Sequence, residues 1–551
     1  MKLFCRFLSG SWSRIVALAI LGSGASFCGV YLALVSKKVV DIATGQTEGD
    51  FISQGLILGM IILLQLVLQI ALTSLHVRTV TSLRFKIQSR VFESYMRKQK
   101  LSADKFHSGE LVNRISGDSS IVASGAADLF PSIFSISTRI VLSFCALLVL
   151  DRTMAVACVL AGMLMMVAAQ FYRKMTGVLF RESRESEGRM RSFIQETVQN
   201  LTVIKAFSVY SIVNRQLGKL QDDAFSLAIK KNRVSIGIHV CFFTVMTAGY
   251  YLALGWGAWR IYSGAMTFGT LTAILTLTGD VTTPFKQIAG MFPQYMSMKT
   301  SAERLDELEM LPEDEILPAV DAIKAYDDFL ELRLSDISFS YGDGDVLKDV
   351  NVSFAKNTMT AVVGESGAGK STLLNIISGL LKPDFGEIVM ETKSGTTHMK
   401  SSHREMFACV PQDFLLLSGD VLENITLFDQ NPDMDRFWLS VRMAELGEVI
   451  EKLPSKIHTH IGEGGSRLSG GQRQRMALAR ALYSKAGILL LDEATSALST
   501  TTEEQIIKNL RESDRTVIFV THRKTASNFC DEVVRIKDGH IELSEINQNK
   551  D

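Results

Sequence analysis

Three stretches in the last 220 residues carry residue types and spacings suited to nucleotide chemistry. Gly364-Glu365-Ser366-Gly367-Ala368-Gly369-Lys370-Ser371-Thr372 follows an apolar run at 359–363 and precedes a helix-like segment at 373–381. This is the GxxxxGK[ST] pattern in its strand, loop and helix context. Glycines let backbone N–H groups wrap phosphate oxygens, and the following helix N-terminus favours the anion. Lys370 is placed to reach the β and γ phosphates and Ser371 to ligate Mg²⁺. Ile488-Leu489-Leu490-Leu491-Asp492-Glu493 reads as a buried strand ending in two carboxylates, Asp492 suited to Mg²⁺ and Glu493 to polarising an attacking water.

Leu468-Ser469-Gly470-Gly471-Gln472 lies between these two stretches and runs into the helix-like segment 473–483. With this LSGGQ pentapeptide the chain resembles the ATP-binding cassette (ABC) family. The resemblance implies cassettes that dimerise head to tail, each ATP held between one phosphate loop and the partner's Ser469, Gly470, Gly471 and Gln472. Since one chain supplies only one of each surface, the functional unit is expected to be a dimer. The family pattern also implies roles for three further residues of this sequence. Tyr341 would stack on adenine, Gln412 would touch Mg²⁺ and sense the γ phosphate, and His522 would contact the γ phosphate. The segment 462–465 resembles the exporter-specific loop that contacts the membrane domain. One position departs: where the family's D-loop reads SALD, this chain has Ser496-Ala497-Leu498-Ser499, which bears on communication between the two ATP sites.

The elements that must carry this machinery are of two kinds. Apolar spans long enough for a bilayer, which needs ~20 residues, fall at about 15–35, 55–75, 130–150, 154–172, 234–258 and 268–292. The first is too long for an ordinary signal-peptide core and lacks a small-residue cleavage site, so it reads as an uncleaved span. The loops joining spans two to three and four to five are long and rich in Lys and Arg, whereas 151–153 and 260–267 are short. The positive-inside rule then places both long loops and both termini in the cytosol. Segments 77–100 and 182–231 look helical, so the membrane helices are expected to extend into the cytosol. After a charged helix and linker the texture turns to short β-branched runs, Gly-rich turns and amphipathic helices, an α/β pattern.

The predicted fold is therefore multi-domain. Residues 1–310 form an all-α six-helix transmembrane domain of ABC exporter type, 311–330 a linker, and 331–551 an α/β P-loop NTPase domain of ABC type. The loop residues 106–115 with Asp118, and Glu196 with 203–207, resemble the two intracellular loops of bacterial half-size ABC exporters. That resemblance implies coupling helices near 106–113 and 206–214. With no peptidase domain ahead of the first span, coupled leader-peptide cleavage is not expected.

Composition sets the remaining bounds. The 551 residues are 47% hydrophobic and 21% charged, too apolar for a disordered chain. Lys and Arg number 58, as do Asp and Glu, so the net charge is zero and no nucleic-acid partner is expected. The neutrality is a cancellation: residues 1–299 carry 31 basic and 16 acidic side chains, +15, and residues 300–551 carry 27 and 42, −15. Seven scattered cysteines, none in CxxC, indicate neither a disulfide framework nor a zinc site. The expected activity is ATP-driven export or flipping across the cytoplasmic membrane, with ATP and Mg²⁺ as cofactors. The partners expected are membrane lipid, a second half-transporter (the same chain or a homologue) and a drug, peptide or lipid substrate. An ATP-gated channel or membrane-anchored regulatory ATPase is the alternative. Arg139 and Asp280, mid-span charges, are candidates to line the substrate cavity or to pair with each other. Gln65, Gln69 and His239 are candidate lining or helix-bridging residues.

Overall fold

Six long helices account for most of the first three hundred residues: α1 Trp12–Ala43, α2 Phe51–Met96, α3 Ser119–Leu150, α4 Arg152–Gln199, α5 Tyr210–Tyr262 and α6 Phe268–Glu309. The computed structural model describes residues 6–8, 10–315, 318, 320–342, 344–523 and 527–546. Side chains at 166, 168, 169, 171–176, 180, 238, 239, 242, 286, 289 and 543–546 are not described, so His239 lies outside the described set. Each of the six predicted spans falls on one of these helices, and the helices run well past the apolar stretches. A helix as long as the 46-residue α2 measures about 69 Å, twice the ~30 Å hydrocarbon core. Its apolar part ends near residue 75 and the remainder to Met96 carries Arg78, Arg84, Lys86 and Arg90. Among the described residues, Trp12–Ala43, Phe51–Met96 and Ser108–Leu150 are long and apolar enough to cross a membrane, with Arg152–Met165 a shorter apolar stretch.

The chain divides into two compact units, residues Met1–Met96 with Phe106–Met310, and Arg97–Lys105 with Leu311–Asp551. In the first, a buried apolar cluster draws Val30 and Ala33 from α1, Leu147 from α3, Ala155 and Cys158 from α4, Ala253 from α5, and Ile274, Leu277 and Val281 from α6. Short helices Ser108–Val112 and Leu201–Ala206 sit at the turns of the two long loops. A π-helical turn, Asn113–Asp118, joins the first of them to α3. Arg114 in that turn bonds Glu110 and Glu307 and lies over the Phe106 ring, while buried Asp118 accepts from Ser301 and Arg304. These ion pairs tie the first loop to the end of α6. Asp151 caps α4 by accepting from the Thr153 and Met154 amides, which makes the α3 to α4 turn a single residue. Arg139 and Asp280 form an ion pair with each other.

The second unit holds two sheets. A six-stranded sheet has the order β10-β9-β3-β8-β7-β6, with β3 Met359–Gly364, β6 Phe407–Val410, β7 Ile488–Asp492, β8 Thr516–Val520, β9 Glu532–Lys537 and β10 His540–Ile546. All neighbouring strands are parallel except β9 and β10. An antiparallel sheet has the order β2-β1-β4-β5, with β1 Phe329–Ser340, β2 Asp345–Ala355, β4 Phe385–Thr392 and β5 Gly395–His398. The sequence runs at β3, β7 and β8 are predominantly apolar, with Thr360, Asp492 and Thr516 the polar members, because both faces are covered. Alternate residues serve opposite sides: Ala361, Leu489, Leu491, Val517 and Phe519 join one core, and Val362, Ile488, Leu490, Ile518 and Val520 join the other. Helix α8, Gly470–Tyr483, packs in the first core. Helix α7, Lys370–Ile377, and the antiparallel sheet pack in the second.

One segment behaves differently from the sequence expectation. Arg97–Lys105 falls inside the 1–310 membrane domain as drawn from hydropathy, yet it packs within the second unit. Lys98, its side chain fully buried, pairs with Glu313, and the two residues form an antiparallel bridge. Lys100 donates to the Asn375 side chain on α7. The stretch read as a linker, 311–330, contributes Asp314 to an ion pair with Arg404 and forms a helix at Ala322–Asp328.

Candidate nucleotide-hydrolysis site

The phosphate loop leaves the C-terminal end of β3, in the middle of the parallel sheet, where the strand ends of an α/β fold converge on a crevice. Its glycines are required by geometry. Gly367 and Gly369 have φ of 85° and 96°, a region that side chains rarely adopt. A Cβ on Gly364 would meet the Ile536 carbonyl oxygen at 2.3 Å. Gly369 ends the loop as the N-cap of α7, so the first free amides of that helix face the loop. Lys370 is buried, and its ammonium donates to the carbonyls of Gly364 (3.0 Å) and Glu365 (2.6 Å) at the start of the loop. Burial pulls the Lys370 pKa down, while Glu493 and Asp492 nearby oppose that shift.

The other sequence-predicted residues gather around this loop. Asp492, at the end of β7, is buried, which pushes its pKa up, and a hydrogen bond from Ser371 works the other way. Glu493 follows with φ of 51°, an unusual backbone for a glutamate. Its carboxylate lies 3.0 Å from His522 Nε2 and accepts from Gln412 Nε2 at 3.5 Å. His522 stands just past β8, the neighbour of β7, so the sheet order itself brings the two together. Tyr341 is half exposed, its ring held edge-on by Phe339, and its hydroxyl lies 3.4 Å from the Thr372 hydroxyl. An exposed aromatic ring is thereby set beside the phosphate loop.

Ser371, Gln412 and Asp492 offer a hydroxyl, an amide oxygen and a carboxylate, hard oxygen donors of the kind Mg²⁺ takes alongside substrate phosphates. The Ser371 to Asp492 hydrogen bond already brings two of the three together. A desolvated carboxylate such as Asp492 is one a divalent cation stabilises.

The LSGGQ residues form a second helix N-terminus. Ser469 caps α8, its hydroxyl accepting from the Gln472 amide while the Gln472 side chain accepts from the Ser469 amide, a reciprocal capping box. Gly470 and Gly471 occupy the first turn, where no side chain screens the free amides. Ser499 has a local structural role in the fold. Ser499 is the N-cap of α9, Thr500–Arg511, and its hydroxyl accepts from the Thr502 amide, a task serine and aspartate perform comparably. Ser499→Ala is expected to destabilise the cassette by about 1 kcal/mol, and Ser499→Asp to be near neutral. An unchanged thermal midpoint in Ser499→Ala would contradict the capping role.

Sequence reasoning did not single out Gln474 or Arg523. Gln474 is fully buried and bonds Glu493, Ser496 and Ala497, and Arg523 bonds Glu503, Ser496 and Leu498. Gln474 stands two residues beyond LSGGQ, and its burial becomes visible only in the fold.

Comparison with known proteins agrees with this geometry. A family model described as "ABC transporter transmembrane region" matches residues 15–285, and one described as "ABC transporter" matches residues 347–496. Relatives include a probable microcin-H47 secretion/processing ATP-binding protein of Escherichia coli, 29% identical over 67% of this chain and 53% of its own. A lactococcin-A transport/processing ATP-binding protein of Lactococcus lactis is 29% identical over 79% of this chain and 60% of its own. A putative multidrug export ATP-binding/permease protein of Staphylococcus aureus is 30% identical over 66% of this chain and 63% of its own. The chain thus spans between half and two thirds of the length of these curated relatives. A solved bacterial Atm1-family ABC exporter with ATP bound shares the fold, with a TM-score of 0.81 at 20% identity, over 98% of this chain and 96% of that one. With a transmembrane-region match at residues 15–285 followed by a cassette match at residues 347–496, this chain belongs to the ABC transporter family, as a membrane domain fused to a nucleotide-binding domain.

Proposed function

We propose that this protein is one half of a dimeric exporter that hydrolyses ATP at two composite sites to move a substrate across the cytoplasmic membrane. The observation that carries the reading is the convergence of Lys370, Ser371, Gln412, Asp492, Glu493 and His522 on one loop, with a second anion-binding helix end, capped by Ser469, in the same cassette. Glu493 acts as the base that polarises water, His522 and Gln412 orient it, and Tyr341 supports the base of the nucleotide. Lys370 and the loop amides from Gly364 to Thr372 hold the phosphates. Ser371, Gln412 and Asp492 would hold Mg²⁺, which when bound neutralises charge on the phosphate oxygens. Ser469, Gly470, Gly471 and Gln472 serve the partner's nucleotide. ABC half-transporters generally dimerise, and we take the partner to be a second copy or a homologue. The basic long loops support a cytosolic position for both termini and the cassette.

Relatives named for microcin-H47 secretion/processing, lactococcin-A transport/processing and multidrug export support an exported substrate, and drugs, peptides and lipids are the classes to test. In proteoliposomes, ATP-dependent accumulation of such a substrate against its gradient is expected. ATP-dependent flux only down the gradient would point to a channel, and ATP hydrolysis with no substrate movement to a regulatory ATPase. The pairing of Arg139 with Asp280 supports either a place for the two on the lining of the substrate cavity or a structural pair, since intramembrane charges are costly and are functional candidates. Asp280→Asn is expected to change substrate stimulation of hydrolysis. Unchanged stimulation with a lowered thermal midpoint would make the pair purely structural.

A further inference from the structure

Gln474 lies on α8, five residues beyond the Ser469 cap, and no part of its side chain reaches solvent. Its amide nitrogen donates to the Glu493 carbonyl at 2.8 Å and to the Ser496 hydroxyl at 3.2 Å, and its carbonyl oxygen accepts from the Ala497 amide at 3.0 Å. The orientation is fixed by chemistry: a flipped amide would set its NH₂ against the Ala497 N–H and its oxygen against the Glu493 carbonyl. All three bonds go to one short stretch, the residue that carries the hydrolytic carboxylate and the D-loop that follows it. The opposite side of the D-loop is held by Arg523, which donates to the carbonyls of Ser496 and Leu498 and is braced by buried Glu503. Glu493 itself sits at φ 51°, a conformation that persists only where neighbours enforce it.

We propose that Gln474 is a positioning residue that couples the LSGGQ helix to the hydrolytic glutamate, so that a chain senses nucleotide at one composite site and sets the backbone of Glu493 at the other. The inference rests on the composite-site reading above. A helix is stiff, and Ser469 and Gln474 are about 7.5 Å apart along its axis. When the α8 N-terminus shifts toward a phosphate on the partner, Gln474 moves with it. It cannot slip relative to Glu493, Ser496 and Ala497 without leaving buried polar groups unpaired. The proton positions and charges at the reacting atoms are untouched, which separates this role from that of Glu493.

The test uses the full-length protein in lipid nanodiscs, comparing wild type with Gln474→Met, similar in length and unable to make any of the three bonds. The expected result is a kcat for ATP lowered by about tenfold to a hundredfold, with KM changed by no more than about twofold. The Hill coefficient for ATP is expected to fall to 1. Unchanged kcat and Hill coefficient overturn the proposal, as does a loss of MgADP affinity in step with kcat, which marks general disruption. Should Gln474→Met fail to fold, Gln474→Glu decides: it keeps the acceptor for the Ala497 amide and loses the donor to Glu493. It is expected to show the same kcat loss, and normal turnover in it overturns the proposal. Absence of hydrolysis in the wild type would instead overturn the hydrolase reading, so the two failures are distinguishable.

Discussion

Glu493→Gln is expected to lower steady-state ATP hydrolysis by about a hundredfold to ten-thousandfold while leaving ATP binding intact. The substitution keeps the shape of the side chain and a hydrogen-bonding head beside His522 Nε2 and Gln412 Nε2, so the loop and sheet are undisturbed. What disappears is the basicity needed to polarise water. The positive-φ backbone at Glu493 is tethered through its carbonyl by Gln474, and its carboxylate meets His522 and Gln412, contacts that favour one placement of the group, as a general base requires. Because ATP still binds and is no longer consumed, the variant should accumulate a closed dimer with nucleotide trapped. Turnover near the wild-type rate would contradict the assignment of Glu493 as base.

The second large effect is expected at nucleotide binding itself. Lys370 is buried, and its ammonium donates to the Gly364 and Glu365 carbonyls of the loop proposed to hold the phosphates. Removing it in Lys370→Ala deletes a charge-assisted bond of about 1.5–3 kcal/mol, a loss of about ten- to hundredfold in affinity. The loop also loses the donor that satisfies the Gly364 and Glu365 carbonyls. Binding of a fluorescent ATP analogue to the protein in nanodiscs measures the loss. Unchanged affinity would remove Lys370 from the phosphate site. The two variants separate cleanly, since Glu493→Gln spares binding and Lys370→Ala does not.

Much of the site was legible because its chemistry depends on local spacing. The loop from Gly364 to Thr372 is one continuous run whose strand and helix flank it in sequence, and the same is true of Ser469 and α8. The sheet could be expected from apolar runs such as 488–491, buried on both faces. Tertiary contacts were not legible. Gln474 meets residues 493–497 only because α8 packs against the end of β7, and nothing local to residue 474 announces that. The placement of Arg97–Lys105 with the second unit depends on Lys98 and Lys100 finding Glu313 and Asn375, residues more than two hundred positions away. Hydropathy located stretches that fall on long helices but understated their length, because a helix can turn polar without ending, as α2 does between residue 75 and Met96. At Ser499 the departure from the family pattern looked consequential in sequence. In the fold serine supplies the helix cap.

The central claim is that each ATP is hydrolysed between the phosphate loop of one chain and the LSGGQ segment of another. The most direct measurement is hydrolysis by a mixed dimer, purified through two different tags, in which one chain carries Lys370→Ala and the other Ser469→Arg. Each variant paired with itself has two damaged sites. The mixed pair concentrates both lesions in one site and leaves the other intact, so hydrolysis well above either parent variant is predicted. A mixed dimer as inactive as its parents would contradict the account.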